Sequence, residues 1–229
     1  MTVGSNQPYL FPYIGYWQLM NMSDVYVISD SMQYIKKGYV NRNNILVDGK
    51  RHLITLEVLG VKTEKNINEV MVGNNKKKIL KSIFHAYKKA PYFEEVYPMI
   101  ENIMNYDEKN LAKFLGHSIK KIAAYLDIKP KFIYLSDLQG ETPLRAQART
   151  IDICKRVNAD HYINAVGGQK LYSKEDFAEE GIKLEFLQTG DIKYKQFGNE
   201  FVPNLSIIDV MMFNSQDETK KMLGECTLI

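Results

Sequence analysis

The residues best suited to chemistry lie between Gln7 and Leu46, in QPYLFPYIGYWQLMNMSDVYVISDSMQYIKKGYVNRNNIL. Aromatic rings at Tyr9 and Tyr13 stand beside amides at Gln7, Gln33 and Asn41 and cations at Lys36, Lys37 and Arg42. Rings stack a base or a sugar, amides bind hydroxyls, and fixed cations neutralise a phosphate. The group after the second expected strand, with Gln33, Tyr34, Lys36, Lys37, Asn41 and Arg42, has the make-up of a diphosphate-recognition loop, with Arg42 as its forked donor. A solvated charged loop is the competing reading for each lysine alone. Asp30, at the end of that strand, is a candidate base or ammonium anchor, with a structural ion pair as the alternative. His85, ahead of Tyr87 and the Pro91-Tyr92 turn, is a second candidate base. Asn164, Gly167 and Gly168 follow a short expected strand, and paired glycines let backbone amides approach an anion or a sugar ring.

Positioning such a set requires an open sheet. Thr2 to Asn6 and Val25 to Ser29 read as strands, with a Pro- and aromatic-rich loop and a short helix (Trp17 to Met22) between them. Ligands of a βαβ unit of this kind bind at the carboxyl ends of its strands. Asp48-Gly49 separates two strand-like runs and predicts a β-hairpin. Ile67 to Val72 reads as a further strand. From Asn75 the period becomes helical, with apolar faces on a helix up to Pro91 and on segments Phe93 to Asn105 and Glu108 to Leu126. A helix from Gly140 to Val157, capped by Thr142 before Pro143, lies between strands Phe132 to Leu135 and His161 to Asn164. Ile182 to Leu187 reads as a last strand before an irregular tail. The expected fold is α/β: a Rossmann-like sheet with flanking helices, a β-hairpin after the first βαβ unit, and a mostly helical middle section over about 75–127, all in one domain spanning 1–229.

The strings QPYLFPYIGYWQL, DxxQYIKKGYVNRNNIL, AYKKAPYF and LSIIDVMMFN are similar to the WbqC-like protein family, over most of the chain from Gln7 to about Asn214. That resemblance implies a place in bacterial O-antigen or surface-polysaccharide assembly and transfer of glycine to an amino sugar. More distantly, the F-P-x-x-G-Y-x-x-L helix between strands resembles the opening of nucleotidyltransferase-like proteins. Tyr13, Gly15 and Tyr16 stand here where those proteins carry the H-x-G-H motif, so both histidines are absent.

Composition sets further bounds. The 229 residues, 45% hydrophobic with a net charge of +3, suit a globular chain and do not argue for nucleic-acid binding. No apolar run reaches the roughly 20 residues that span a bilayer. Membrane insertion is not expected, and the reading is cytoplasmic. No histidine has a second ligand at metal spacing, so no metal site is expected. Cys154 and Cys226 read as free thiols.

These readings converge on acyl transfer, glycyl by the implied family chemistry, to the amine of a nucleotide-linked amino sugar. Lys36, Lys37 and Arg42 would hold the diphosphate, and Tyr9, Tyr13 and Tyr34 would stack. Asp30 or His85 would deprotonate the amine. Gln7, Asn41 and the Gly167-Gly168 amides would meet the oxyanion or sugar hydroxyls. An activated glycyl donor is required: an adenylate, a glycyl-tRNA or a carrier thioester. ATP with magnesium enters only if this chain makes the adenylate. A homodimer is compatible with this plan. Two alternatives stay open: a non-catalytic sugar-nucleotide-binding protein, and a nucleotidyl- or glycosyltransferase of the same pathway, against which the missing carboxylate cluster counts.

Overall fold

The computed structural model describes residues 1–61, 64–138, 146–198 and 200–229. Strand β1 (Thr2–Asn6), helix α1 (Ile14–Asn21) and strand β2 (Val25–Ile28) form the expected opening unit. Every residue of β2 is buried, as in a parallel strand covered on both faces. The hairpin β3 (Arg42–Val47) and β4 (Lys50–Thr55) turns at Asp48 and Gly49, both with positive φ, and Val47 pairs with Lys50. That is the two-residue turn an Asp-Gly pair favours.

Strands β5 (Val58–Leu59) and β6 (Met71–Val72) make a second small antiparallel pair. The strand expected over 67–72 is replaced at its start by a 3₁₀ turn, Ile67–Glu69. Its cause is local: Asn66 and Glu69 form a capping box, which commits the backbone to a helical turn. The middle section is helical as expected, in α2 (Lys76–Tyr87), α3 (Phe93–Asn105) and α4 (Leu111–Tyr125). Then come β7 (Lys131–Tyr134), α5 (Ala146–Arg156), β8 (His161–Ala165), α6 (Lys174–Glu179) and β9 (Lys183–Thr189). The expected cap at Thr142 and Pro143 lies outside the described residues. The tail is not irregular throughout. It holds α7 (Ile207–Phe213), α8 (Gln216–Leu223) and β10 (Cys226–Leu228), the last pairing antiparallel with β9.

The main sheet runs β10-β9-β8-β1-β2-β7, parallel except for β10. Alternate residues of β2 feed two cores. Tyr26 and Ile28 join Trp17 of α1 and Ile119 of α4 on one face, while Val25 and Val27 join Ile153 of α5 and Phe177 of α6 on the other. The chain leaves β1 toward β2 on one side and returns from α5 to β8 on the other. The β1–β8 boundary is therefore the switch point of the sheet, where open α/β folds bind ligands. Among the described residues, no helix is long and apolar enough to cross a membrane.

Candidate functional site

The Pro- and aromatic-rich loop after β1 is fixed by side chains distant in sequence. Asn43 Nδ2 donates to the carbonyls of Leu10 and Phe11, at 3.2 and 2.8 Å. Ser206 Oγ donates to Phe11 O at 2.8 Å, and both Trp17 Nε1 and the Ile207 amide donate to Pro12 O at 3.0 Å. Leu10, Phe11 and Trp17 are fully buried, so these three serve the core. Tyr9 and Tyr13 turn toward a cavity instead.

Two adjacent cavities of about 440 and 410 Å³ straddle the carboxyl edge of the sheet at the switch point, sharing Asn6, Tyr9 and Ala165. One lies on the α1 face and is walled by Tyr9, Tyr13 and Tyr16, with Tyr39 and Asn43 at its side. The other lies on the α5 face, walled by Gln7, Arg149, Asn164, Gly167, Gly168 and Tyr172. The two make a crevice on either side of the switch point, with shared lining at Asn6, Tyr9 and Ala165.

Its interior is held by defined contacts. Tyr16 Oη donates to the Gln7 carbonyl at 3.1 Å, and the Tyr9 and Tyr16 rings lie 5.9 Å apart. The hydroxyls of Ser5 and Ser29, at the ends of β1 and β2, meet at 2.7 Å. Asn164 Oδ1 accepts from the Ala165 amide at 2.8 Å. Arg149 brings a guanidinium to this wall, with one nitrogen 2.8 Å from Met32 Sδ. Two glycines stand close against neighbouring side chains. A Cβ on Gly15 would sit 2.3 Å from Tyr13 Oη, and one on Gly168 would sit 2.5 Å from Asn164 Nδ2. No atom lies within 4 Å of a Cβ built on Gly167, so its backbone stays approachable.

Burial raises the phenols of Tyr9, Tyr16 and Tyr162 above their ordinary pKa. They are neutral hydroxyls here, able to donate hydrogen bonds and unable to act as bases near neutrality. Among the described lining residues of the crevice there is no carboxylate and no imidazole. Its chemistry is that of recognition: rings, amides, hydroxyls and one guanidinium.

Of the residues singled out in sequence, Gln7, Tyr9, Tyr13, Asn164, Gly167 and Gly168 converge on this crevice. The Gln33–Arg42 group does not join them. Tyr34 Oη donates to Asn41 Oδ1 at 2.9 Å, and Asn41 Nδ2 donates to Leu56 O at 2.6 Å, so both amide ends of buried Asn41 are spent on the fold. Arg42 opens β3 and its Nε donates to Gly38 O at 2.9 Å. Gln33 makes a bridge with Asn66, and Lys36 and Lys37 are exposed. His85 is exposed on α2, edge-on to Phe84. Asp30 is buried and takes both its hydrogen bonds from Ser136, at 2.9 and 2.6 Å, in a separate cavity. Asp209, the other carboxylate in apolar surroundings, is a structural hub: it accepts from Tyr87, Tyr194 and Gln196 at 2.8, 2.7 and 2.6 Å. The buried Cys154 thiol is pushed up to about 12 by desolvation, which leaves it a poor nucleophile.

Ser5, Asn6 and Arg149 are crevice residues that the sequence reading did not single out. Ser5 and Asn6 were legible, because they end the first strand of a βαβ unit. Arg149 had no local signal beyond lying in the helix that leads to β8.

An uncharacterized protein of Mycobacterium tuberculosis is 25% identical over 223 residues, covering 94% of each chain. No solved structure matches this chain. The sequence profile of the WbqC-like protein family matches residues 7–221, which take in the crevice apart from Ser5 and Asn6 and the elements that pin its loop, and the chain therefore belongs to the WbqC-like family.

Proposed function

We propose that the crevice binds a nucleotide-linked amino sugar and that the chain transfers an acyl group to its amine. Glycine is the acyl group implied by the family resemblance, and surface-polysaccharide assembly is the implied setting. One observation carries the reading. Tyrosine rings, strand-end amides and a guanidinium meet at the switch point, which is the chemistry that a sugar, its hydroxyls and a diphosphate require. Tyr9 and Tyr13 stack, Asn6, Gln7 and Asn164 bind hydroxyls, and Arg149 takes the diphosphate in place of the Lys36–Arg42 group. The open Gly167 amide is the candidate donor to the oxyanion.

In the transfer, the amine nitrogen bonds to the acyl carbon, the bond from that carbon to its carrier breaks, and the amine proton leaves. With no base among the described lining residues, the proton goes to solvent. The donor must arrive activated, as an adenylate, a glycyl-tRNA or a carrier thioester, with ATP and magnesium needed only for an adenylate made here. That same lack of a base favours a second reading, a non-catalytic sugar-nucleotide-binding protein.

Calorimetric titration with UDP- and dTDP-linked amino sugars tests the binding. Arg149→Ala is expected to weaken the best ligand by about 1.5–3 kcal/mol, the scale of hydrogen bonds to charged groups. Arg42→Ala is expected to leave affinity unchanged. The opposite pattern would return the diphosphate to the Lys36–Arg42 loop. Turnover with a confirmed donor then separates enzyme from binding protein. Asp30→Asn and His85→Gln should retain it, and a loss on the order of 100-fold in either would restore a side-chain base.

A further inference from the structure

A second cavity, of about 550 Å³, opens where β2 and β7 end, on the α4 face of the sheet and apart from the crevice. Its walls carry opposite charge. Lys113, His117 and Lys120 share one face of α4 at helical spacing. Asp30, Glu108 and Asp137 line the cavity from outside that helix. No ion pair joins the two walls among the described residues.

The site is built around aromatic contacts. The His117 imidazole stacks on Tyr106, with centroids 3.9 Å apart and planes 17° from parallel. Lys120 Nζ lies 4.7 Å over the Tyr134 ring. Tyr134 approaches the helix only because position 116 is glycine: a Cβ there would sit 2.1 Å from its hydroxyl. His117 Nε2 is shielded and has no hydrogen-bond partner, the ring being held instead by its stack on Tyr106. Burial, with Lys121 and Lys120 nearby, lowers the His117 pKa and favours the neutral ring. Asp30 keeps acceptor capacity beyond its two bonds from Ser136.

We propose that this cavity is a second binding site, for a small ligand carrying both an ammonium and a carboxylate, of the α-amino-acid class. The ammonium meets Asp30 and Asp137, and the carboxylate meets Lys113 and Lys120. A lone anion such as phosphate would face three carboxylates, and a lone amine would face two ammonium groups. Only a zwitterion is complementary to both walls. The volume leaves room for an amino-acid side chain.

The test is calorimetric titration of the full chain with free α-amino acids. Each is run beside its amide, which lacks the carboxylate, and its N-acetyl derivative, which lacks the ammonium, with inorganic phosphate as a further probe. At least one amino acid is expected to bind, and both of its derivatives to bind about tenfold or more weakly, the loss of one charged hydrogen bond. Lys113→Gln and the exposed Asp137→Asn should each weaken it similarly, while nucleotide-sugar affinity at the crevice stays unchanged. Both positions are exposed, so each variant keeps the test open should the other fail to fold. Equal binding of amide, N-acetyl derivative or phosphate would overturn the proposal. So would unaltered affinity in the folded variants, or no binding across the panel.

Discussion

Asn43, in the first hairpin strand, holds the carbonyls of both Leu10 and Phe11 with one side-chain amide. Phe11 has a φ of 45°, a conformation uncommon outside glycine, and Ser206 donates to the same Phe11 carbonyl. A strained, buried loop is thus clamped from two elements, and the clamp sets where Tyr9 and Tyr13 stand. Asn43→Ala leaves those bonds unmade and should cost about 1–3 kcal/mol in stability. Nucleotide-sugar affinity should fall with it, because the loop loses its fixed shape. Chemical denaturation and calorimetry on the same variant check both effects.

Gly167 and Gly168 are adjacent and make opposite predictions. Alanine at 168 places a methyl 2.5 Å from Asn164 Nδ2 and displaces that amide from the crevice wall, whereas alanine at 167 meets no atom within 4 Å. Gly168→Ala should weaken nucleotide-sugar binding by about 1 kcal/mol or more, the scale of one hydrogen bond. Gly167→Ala should leave binding near wild type. Equal affinities for the two variants would remove Asn164 from the site.

Asp209 gives a pH signature. Desolvation raises its pKa above the ordinary 3.8, against the lowering pull of its bonds from Tyr194, Tyr87 and Gln196. The native state then binds its proton more tightly than the unfolded chain does. Its contribution is greatest at acid pH and is lost as pH rises from about 3.8 through the raised native value. Asp209→Asn cannot ionise, so its stability curve should be flatter over that window. Urea midpoints measured from pH 3 to 7 for both proteins provide the comparison, and parallel curves would contradict the buried-carboxyl account.

What the sequence could show follows from the range of each interaction. The Pro-aromatic loop, the Asp-Gly hairpin and the helical middle section declare themselves in local residue types. Gln33 to Arg42 read as one binding loop because its charges are close along the chain, yet Arg42 turns away into the hairpin and Asn41 is consumed by Tyr34 and Leu56. Asn43 acts on residues more than thirty positions away. No local pattern encodes that. Six of the seven α7 residues are buried, so its run LSIIDVMMF has no polar face to reveal a helical period. Asn66 and Glu69, by contrast, carried a legible capping signal across the start of what read as a strand.

The glycine at the centre of α4 makes the last prediction. An interior helix glycine costs about 1 kcal/mol relative to alanine, so on propensity alone Gly116→Ala should stabilise the protein. The structure reverses that sign, because the new methyl would lie 2.1 Å from Tyr134 Oη and 2.9 Å from the ring carbon bearing it. Tyr134 is half-buried, with its phenol pushed up to about 12 by burial and then by the charges of Asp30 and Asp137. The methyl would push this ring off the helix and toward the cavity that it lines, breaking its contact with α4. Gly116→Ala should destabilise by about 1–3 kcal/mol, the usual cost of overpacking. In a Tyr134→Phe background the hydroxyl is gone and part of the loss should be recovered, giving a coupling energy of about 0.5–3 kcal/mol in a double-mutant cycle. Additive effects would mean that the glycine is not there to admit the tyrosine, and that the cavity beneath α4 is shaped by something other than this contact.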